Sequence, residues 1–184
     1  MLIILCTAIC VHLENKLNIM KKILIFGNSG SGKSTLAKKL QLNFGLQHLD
    51  LDILAWEETQ PPTRKVLSES ISALDTFMSK YNSWVIEGCY ADLLTHVSQQ
   101  ANEVIFLNPG NEICIERCKS REWEPHKYES KDAQDKNLDM LINWVKEYDE
   151  REDEFSLKSH NSIFSSFVGE KTEVKNNDEY IVNL

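Results

Sequence analysis

The sequence has little that would direct the protein to a membrane, an oxidising compartment or a nucleic acid. Its longest apolar stretch, residues 1–13, is shorter than the about 20 residues that a membrane-spanning helix needs. The five cysteines are odd in number and form no C-x-x-C pair, which is typical of reduced cytoplasmic thiols. A net charge of −8 argues against non-specific binding to nucleic acid, which needs clustered cations. Without internal repeats or low-complexity linkers, the 184 residues predict one globular domain.

The amino terminus divides into two parts. Residues 1–19 are largely apolar but lack the positive start of a secretory signal, whereas Met20 directly precedes KKILIFG. We expect Met20 to be the physiological start, residues 1–19 to be an upstream extension or disordered arm, and residues 20–184 to form a single domain. The alternative is that residues 2–11 form an added helix that packs on the body or on a partner.

The strongest pattern in the chain is G-x-x-x-x-G-K-[ST], which residues 27–34 satisfy as GNSGSGKS. The apolar run before it predicts a buried parallel strand, and the apolar spacing after it predicts a helix that ends at Gly45. Strand, glycine-rich loop and helix in this order are the setting of a phosphate-binding loop. The alternative is a glycine- and serine-rich turn with an incidental lysine.

The residue types of this loop suit a nucleoside triphosphate. Backbone N–H groups of residues 30–34 can turn towards phosphate oxygens, and the following helix adds the positive end of its dipole. Lys33 would reach the β- and γ-phosphates, and the Ser34 hydroxyl would bind Mg²⁺. The predicted contacts of ATP are Gly27, Asn28, Ser29, Gly30, Ser31, Gly32, Lys33, Ser34 and Thr35.

Two carboxylates follow the second predicted strand, residues 46–51. Asp50 and Asp52 lie at or just past its carboxyl end, where open α/β sheets bind their ligands. They could hold Mg²⁺, accept the proton of a substrate hydroxyl or hydrogen-bond an acceptor. The alternative is that one aspartate forms a turn and the other caps a helix. His48, on the same strand, is expected to support the core rather than to act as a base.

Glu87 ends the buried part of the third predicted strand, WVIEGCY, and Gly88 provides a tight exit. An acidic residue at this position of a phosphate-loop protein orders the Mg²⁺ shell or the attacking group. The predicted metal site therefore comprises Ser34, Asp50 and Glu87.

Arg117 and Arg121 stand four residues apart on a helix predicted over residues 112–121, so both guanidinium groups would share one face. Such a pair suits clamping of phosphates or stacking on a base. The alternative is ion pairing with neighbouring glutamates. Arg151, in the acidic run EYDEREDE, is either a solvated ion pair or a third clamp that swings towards the phosphates.

Two further segments are expected to close over the site. Residues 53–81, with a helix over residues 64–81, form a flexible acceptor segment, and the polar residues 118–136 form a lid. The candidate acceptor contacts are Trp56, Arg64 and Lys65. Alternatively, the tryptophan caps the core and the two basic residues are solvated.

The remaining pattern predicts helices over residues 132–148 and 155–167, and a last strand from either TEV or EYIVNL. A fourth strand is predicted at EVIFL. Because helices separate the strands throughout, we expect an α/β fold with a mostly parallel sheet.

The motifs GNSGSGKSTLAKKL, HLDLDILAW, WVIEGCYAD and VIFLNP resemble those of the adenylate-kinase-like P-loop proteins. Within them, residues 21–174 are similar to the small bacterial group of topology modulation proteins. The resemblance implies a three-layer P-loop NTPase fold of the nucleoside-monophosphate-kinase type, with a five-stranded parallel sheet and ATP on the loop.

The resemblance also implies roles for single residues. Asp50 and Asp52 resemble the D-x-D of shikimate kinases, whose second acidic residue contacts the acceptor hydroxyl. Glu87 looks like the strand-ending aspartate of adenylate kinases, which orders Mg²⁺-bound water. Arg117 and Arg121 resemble the arginines of the first lid helix, one on adenine and one on the phosphates.

The chain departs from adenylate kinases at two places. In those enzymes Phe-Pro-Arg follows the acid-glycine pair, whereas Cys89 and Tyr90 follow it here, so the arginine that grips a monophosphate is missing. The large zinc-type lid is also absent. The expected acceptor is therefore a nucleotide or a small hydroxylated metabolite, without a choice between them.

These patterns predict a cytoplasmic phosphotransferase that uses ATP and Mg²⁺. Lys33, the metal and the two arginines would stabilise the transferring γ-phosphoryl group, Glu87 would order the metal shell, and Asp52 would position or deprotonate the acceptor. The competing class is a nucleotide-dependent regulatory protein of the topology-modulation type, with slow ATP hydrolysis and a macromolecular partner. A third possibility, a polynucleotide-end kinase, would need a basic groove, which the net charge does not indicate.

Replacing Lys33 by alanine is expected to abolish nucleotide binding, because the substitution removes the cation that faces the β- and γ-phosphates. Calorimetric titration with Mg²⁺-ATP measures the loss. Lys39→Ala is the matched control, since the helical pattern places this lysine on the opposite face. Unchanged ATP affinity of the Lys33→Ala protein would contradict the phosphate-loop interpretation.

Overall fold

The computed structural model describes residues 20–57, 59, 62–124 and 128–176, and a single parallel β-sheet organises them. The predicted extension at residues 1–19 and the EYIVNL strand lie outside the described residues. The strands are β1 Lys22–Gly27, β2 Gln47–Asp50, β3 Trp84–Gly88, β4 Glu103–Leu107 and β5 Glu170–Val174. Their order is β2-β3-β1-β4-β5 and every pair is parallel, which confirms the predicted five-stranded sheet.

Helices make the connections between these strands. They are α1 Lys33–Phe44, α2 Asp52–Ala55, α3 Leu67–Lys80, α4 Ala91–Ser98, α5 Asn111–Lys119, α6 Lys131–Lys136, α7 Leu138–Lys146 and α8 Leu157–Ser166, with a 3₁₀ turn at Glu147–Asp149. Parallel neighbours need crossover connections, so helices cover the faces of the sheet and produce three layers. Across the described ranges, no helix has the length and apolar character needed to cross a membrane.

Strand β1 is the buried centre of the sheet. Its alternate side chains enter two separate cores, because successive residues of a strand point to opposite faces. Leu24 and Phe26 pack with residues of α4 and α8, whereas Ile23 and Ile25 pack with α1. None of these four side chains is more than 1% exposed, as the unbroken apolar run predicts.

The helix predicted over residues 64–81 begins later, at Leu67. Arg64 instead forms an isolated antiparallel bridge with Trp56, and the next residue, Lys65, donates its backbone N–H to a carbonyl of α2. Val66, an apolar residue of the predicted helix, is 64% exposed. Backbone contacts with residues 55 and 56 thus hold residues 64 and 65 outside the helix, which the local pattern does not reveal.

The helix predicted over residues 132–148 is divided into α6 and α7 at Asn137. The Asn137 backbone N–H bonds to the carbonyl of Gln134, and its side-chain amide bonds to that of Ala133. A side chain that bonds to the preceding turn in this way competes with the regular helical ladder. The division places α7 separately against α5, with which it shares a small apolar cluster.

His160, on α8, is a fully buried polar residue that the sequence pattern did not single out. Its Nε2 lies 3.0 Å from the carbonyl oxygen of Cys89, and its Nδ1 lies 2.6 Å from the hydroxyl of Tyr148. Because a carbonyl can only accept, Nε2 carries the proton and Nδ1 accepts from the tyrosine. Burial lowers the pKa of His160 to about 4, so the ring is neutral near pH 7.

The neutral His160 is expected to make stability depend on pH. Between pH 6.5 and about pH 4 the unfolded chain binds the proton and the folded chain does not, so the free energy of unfolding falls as the pH is lowered. The shift corresponds to about 3 kcal/mol. Urea denaturation at pH 7 and pH 4.5 measures it. His160→Gln, which cannot titrate, should show a smaller decrease, and an equal decrease in both proteins would contradict the assignment.

Candidate active site

Three glycines shape the loop between β1 and α1. Gly27, Gly30 and Gly32 have φ angles of 150°, 79° and 100°, which residues with a Cβ rarely adopt. A Cβ on Gly27 would lie 2.2 Å from the carbonyl oxygen of Leu107, and one on Gly30 would lie 2.3 Å from that of Cys114. The loop therefore lies between the end of β4 and α5, and Gly27 and Gly30 are required by space as well as by conformation.

Lys33 curls back over this loop. Its Nζ donates to the carbonyl oxygens of Gly27, at 3.2 Å, and Asn28, at 2.9 Å. Helix α1 begins at the same residue, and its N-cap, Gly32, provides no capping side chain. A cation and the positive end of a helix thus lie at one glycine-rich loop, which is the arrangement that binds phosphate groups.

Asn28 has a structural task that the loop motif does not indicate. Its Nδ2 donates to Oδ1 of Asn111 and to the carbonyl oxygen of Val145, both at 3.1 Å, and its Oδ1 accepts the Ser29 N–H at 2.8 Å. The buried side chain therefore ties the loop to α5 and α7. Any contact of Asn28 with nucleotide would come from its backbone, since its amide is engaged on the side of the helices.

The two predicted arginines do not share a helical face, which corrects the expectation from their spacing. Arg117 lies on α5, and its Nη1 donates to the carbonyl oxygen of Ser31 at 3.1 Å, so it does reach the phosphate-binding loop. Helix α5 ends at Lys119. Arg121 follows that end and pairs with Glu124 at 3.1 Å, within the lid segment. Arg121 therefore forms an ion pair with a glutamate further along the chain, as the alternative interpretation of the arginine pair expected.

Glu87 is buried behind the loop. His48 Nε2 lies 3.7 Å from Glu87 Oε1, which is too far for a hydrogen bond. Both atoms are buried, and neither has a hydrogen-bond partner among the described residues. Burial raises the pKa of the Glu87 carboxyl, but the neighbouring His48 and Lys33 outweigh burial, so the pKa lies below its usual range. The carboxylate is ionised, and it also interacts with the Ser34 hydroxyl.

This environment fits a hydrated divalent cation. Within the described ranges no three His, Cys, Asp or Glu side chains are grouped closely enough to hold a metal by themselves. Mg²⁺ in such proteins keeps several waters and is bound by one hydroxyl or carboxylate together with substrate phosphates. The Ser34 hydroxyl beside the ionised Glu87, which retains an unpartnered oxygen among the described residues, matches that demand.

Asp50 and Asp52 have different environments at the end of β2. Asp50 Oδ1 accepts the backbone N–H of Asp52 at 2.9 Å, which is the turn-forming role that the sequence left open. Asp52 is the first residue of α2, and its Oδ1 accepts the hydroxyl of Tyr90 at 2.5 Å.

Tyr90, which the sequence indicated only as a departure from adenylate kinases, lies between two of the predicted acceptor residues. Its hydroxyl accepts the indole N–H of Trp56 at 2.7 Å, and because indole nitrogen is only a donor, the hydroxyl proton must point to Asp52. Burial raises the pKa of Tyr90, so the proton stays on the phenol. Arg64 lies 4.5 Å from the centre of the tyrosine ring and pairs with Asp92 at 2.9 Å.

Cys89 is a buried residue that directly follows β3. Burial raises the pKa of the Cys89 thiol to about 12, and the charges of Lys33, Asp52, Glu87 and Asp50 all act on it. The thiol itself is an inert buried side chain rather than a nucleophile.

Residues 23–137, more than half of the chain, match the family model of the AAA domain, and the protein belongs to this family of P-loop NTPases. The chain is also similar to the uncharacterized protein YqaC of Bacillus subtilis strain 168. The two are 28% identical over 134 residues, which are 70% of this chain and 73% of YqaC.

Solved structures establish the same fold. The shikimate kinase of Acinetobacter baumannii, in complex with shikimate, has a TM-score of 0.53 at 13% identity, over 92% of this chain and 94% of that one. A gluconokinase from Sinorhizobium meliloti 1021 has a TM-score of 0.52 at 16% identity, over 89% and 87%. The protein is thus a P-loop NTPase with the fold of small kinases.

Gly30→Ala is expected to destabilise the protein and to weaken ATP binding, because the new methyl group would collide with α5. Gly45→Ala is the matched control: it also has a left-handed φ, 67°, but nothing within 4 Å of a new Cβ. The control should lower the free energy of unfolding by about 1–2 kcal/mol. Gly30→Ala should add about 1–3 kcal/mol of overpacking to that loss. If the two substitutions had equal effects on the free energy of unfolding and on ATP affinity, the close approach of Gly30 to α5 would be contradicted.

Proposed function

We propose that this protein is an ATP-dependent phosphotransferase that moves the γ-phosphoryl group to a hydroxyl of a nucleotide or a small hydroxylated metabolite. One observation carries the proposal: Lys33, Glu87 and Asp52 lie at or just past the carboxyl ends of β1, β3 and β2, three adjacent parallel strands whose register sets Glu87 opposite Asp50. Open α/β sheets bind their ligands at this edge. Lys33 supplies a cation, Glu87 a carboxylate that orders Mg²⁺, and Asp52 a separate carboxylate. Such a set suits transfer of a phosphoryl group between two bound substrates.

The donor side comprises the loop, Ser34, Glu87 and Arg117. Lys33 and Arg117 supply positive charge at the phosphates, where negative charge develops during transfer. Ser34 and Glu87 would hold Mg²⁺, which when bound neutralises the phosphate oxygens. Arg121 remains a proposed clamp, and it would have to leave Glu124 to reach a nucleotide.

The acceptor side is proposed to be centred on Asp52. Tyr90 holds one carboxylate oxygen, which fixes the orientation of the group. An oriented carboxylate can position an acceptor hydroxyl in line with the γ-phosphate or take its proton. Trp56 and Arg64 border Tyr90 and present an aromatic surface and a cation to the acceptor.

Asp52→Asn is expected to reduce acceptor-stimulated turnover by about a hundredfold or more, because an amide cannot accept the hydroxyl proton. ATP affinity should not change. The measurement is a coupled assay of ADP release with Mg²⁺-ATP and a panel of nucleoside monophosphates and hydroxylated metabolites.

The control is Asp75→Asn, which removes a half-exposed carboxylate that pairs with His96 away from the loop. Stimulation by one acceptor, lost in Asp52→Asn and retained in the control, supports the kinase. Slow hydrolysis that no acceptor stimulates would favour the regulatory class of nucleotide-binding protein instead.

A further inference from the structure

Tyr148 and His160 form a buried hydrogen-bonded pair next to the candidate active site. Their side chains lie in the core, with the residues 2% and 0% exposed. Burial raises the pKa of the Tyr148 phenol, so the phenol keeps its proton and donates it to Nδ1 of His160 at 2.6 Å. The other ring nitrogen, Nε2, donates to the carbonyl oxygen of Cys89 at 3.0 Å. The pair therefore joins the 3₁₀ turn at Glu147–Asp149 to the residue that follows β3.

The bond to Cys89 fixes the backbone that leads into the acceptor side. Because a peptide unit is planar, holding the Cys89 carbonyl also holds the backbone nitrogen of the next residue, Tyr90. The Tyr90 hydroxyl donates to Asp52 at 2.5 Å and accepts from the indole of Trp56 at 2.7 Å. The position of His160 thus bears on the orientation of the Asp52 carboxylate.

The other end of the pair is held to the phosphate-binding loop. Asn28 of the loop donates at 3.1 Å to the carbonyl oxygen of Val145, which precedes Tyr148 by almost one helical turn. Asn28 also donates to Asn111, and Asn111 donates at 2.9 Å to Oδ2 of Asp149, the residue after Tyr148. The loop therefore holds the chain on both sides of the tyrosine.

His160 also contacts the strand that leads into the loop. Its ring packs edge-on against Phe26, with the ring centres 5.6 Å apart, and Phe26 directly precedes Gly27. An apolar side chain would fill the same space without the cost of burying polar atoms, but it would not fix the direction of a carbonyl group. A buried network whose members all have partners specifies one arrangement of the groups that it joins.

We propose that Tyr148 and His160 are positioning residues, which align the Tyr90–Asp52 pair of the acceptor side with the phosphate-binding loop. The inference rests on the proposed phosphotransfer, and it adds a route by which nucleotide at the loop acts on the acceptor carboxylate. Both residues act through the Cys89 carbonyl rather than by contact with a substrate.

Lys33 supplies the change at the loop end of this route. Its Nζ donates to the carbonyl oxygens of Gly27 and Asn28. A lysine that turns to the β- and γ-phosphates gives up part of these bonds, so the backbone at Asn28 adjusts. Because the buried Asn28 amide is bonded to Val145, the adjustment reaches helix α7 and, through the turn, Tyr148.

Heteronuclear NMR of the isotopically labelled full-length protein tests the route. The probe is the indole N–H of Trp56, because this group bonds to Tyr90. Mg²⁺-ADP should shift the Trp56 signal of the wild-type protein, and the spectrum of Trp56→Phe identifies that signal. Tyr148→Phe removes only a hydroxyl group and should reduce the ADP-induced shift by about half or more. ADP affinity, measured by calorimetric titration, should not change.

Two further variants serve as controls. Tyr81→Phe removes the hydroxyl of a tyrosine that precedes the amino end of β3, at the opposite edge of the sheet, and should leave the shift unchanged. His160→Gln is the conservative variant: its amide can donate to Cys89 and accept from Tyr148, so it should keep most of the shift. If Tyr148→Phe does not fold, Asn111→Ala, which removes the bond from the loop to Asp149, should reduce the shift instead.

Two results would overturn the positioning role. One is an ADP-induced shift of equal size in the wild-type and Tyr148→Phe proteins, even where urea denaturation finds the variant less stable, because the pair would then support the fold alone. The other is an unchanged Trp56 signal in wild-type protein saturated with Mg²⁺-ADP. Failure of the wild-type protein to bind ADP would instead contradict the proposed function, so the two failures are distinguishable.

Discussion

The parallel register of β1, β2 and β3 determines where every proposed functional group can lie. Asp50 is opposite Glu87, and Phe26, the residue before the loop, is opposite Gly88. Because all three strands run in the same direction, their carboxyl ends emerge at one edge, and the residues that follow them must meet there. A slip of one residue would turn these side chains to the other face and separate the carboxylates from the loop.

Local patterns in the sequence were sufficient for the sheet, for most of the helices and for the phosphate-binding loop. The reason is that each of these depends on short-range physics: an unbroken apolar run at residues 23–26, a glycine where φ must be positive, and a left-handed cap at Gly45. The same reasoning placed Asp52 and Glu87 at the edge of the sheet, because a strand end is itself a local feature.

Contacts between distant residues were not accessible in this way. Arg121 lies beyond the end of α5, in a segment where it pairs with Glu124, and hydrophobic spacing does not reveal where the helix ends. The link between Tyr90 and Asp52 spans 38 positions, and that between Asn28 and Val145 spans 117. No periodicity in the sequence encodes such a pair. Tyr90 was nevertheless a usable signal, because adenylate kinases have a different motif at that place.

Buried polar groups in this protein fall into two kinds, and the difference bears on function. His160 is fully buried, yet both of its ring nitrogens have partners, so it serves as an internal support beneath the segment at Cys89. Glu87 and Arg151 are also buried, but each retains atoms without a hydrogen-bond partner among the described residues. Such atoms make the ligand-free fold less stable than it could be. A bound cation would satisfy the Glu87 carboxylate, so the same group that weakens the empty site would strengthen the loaded one.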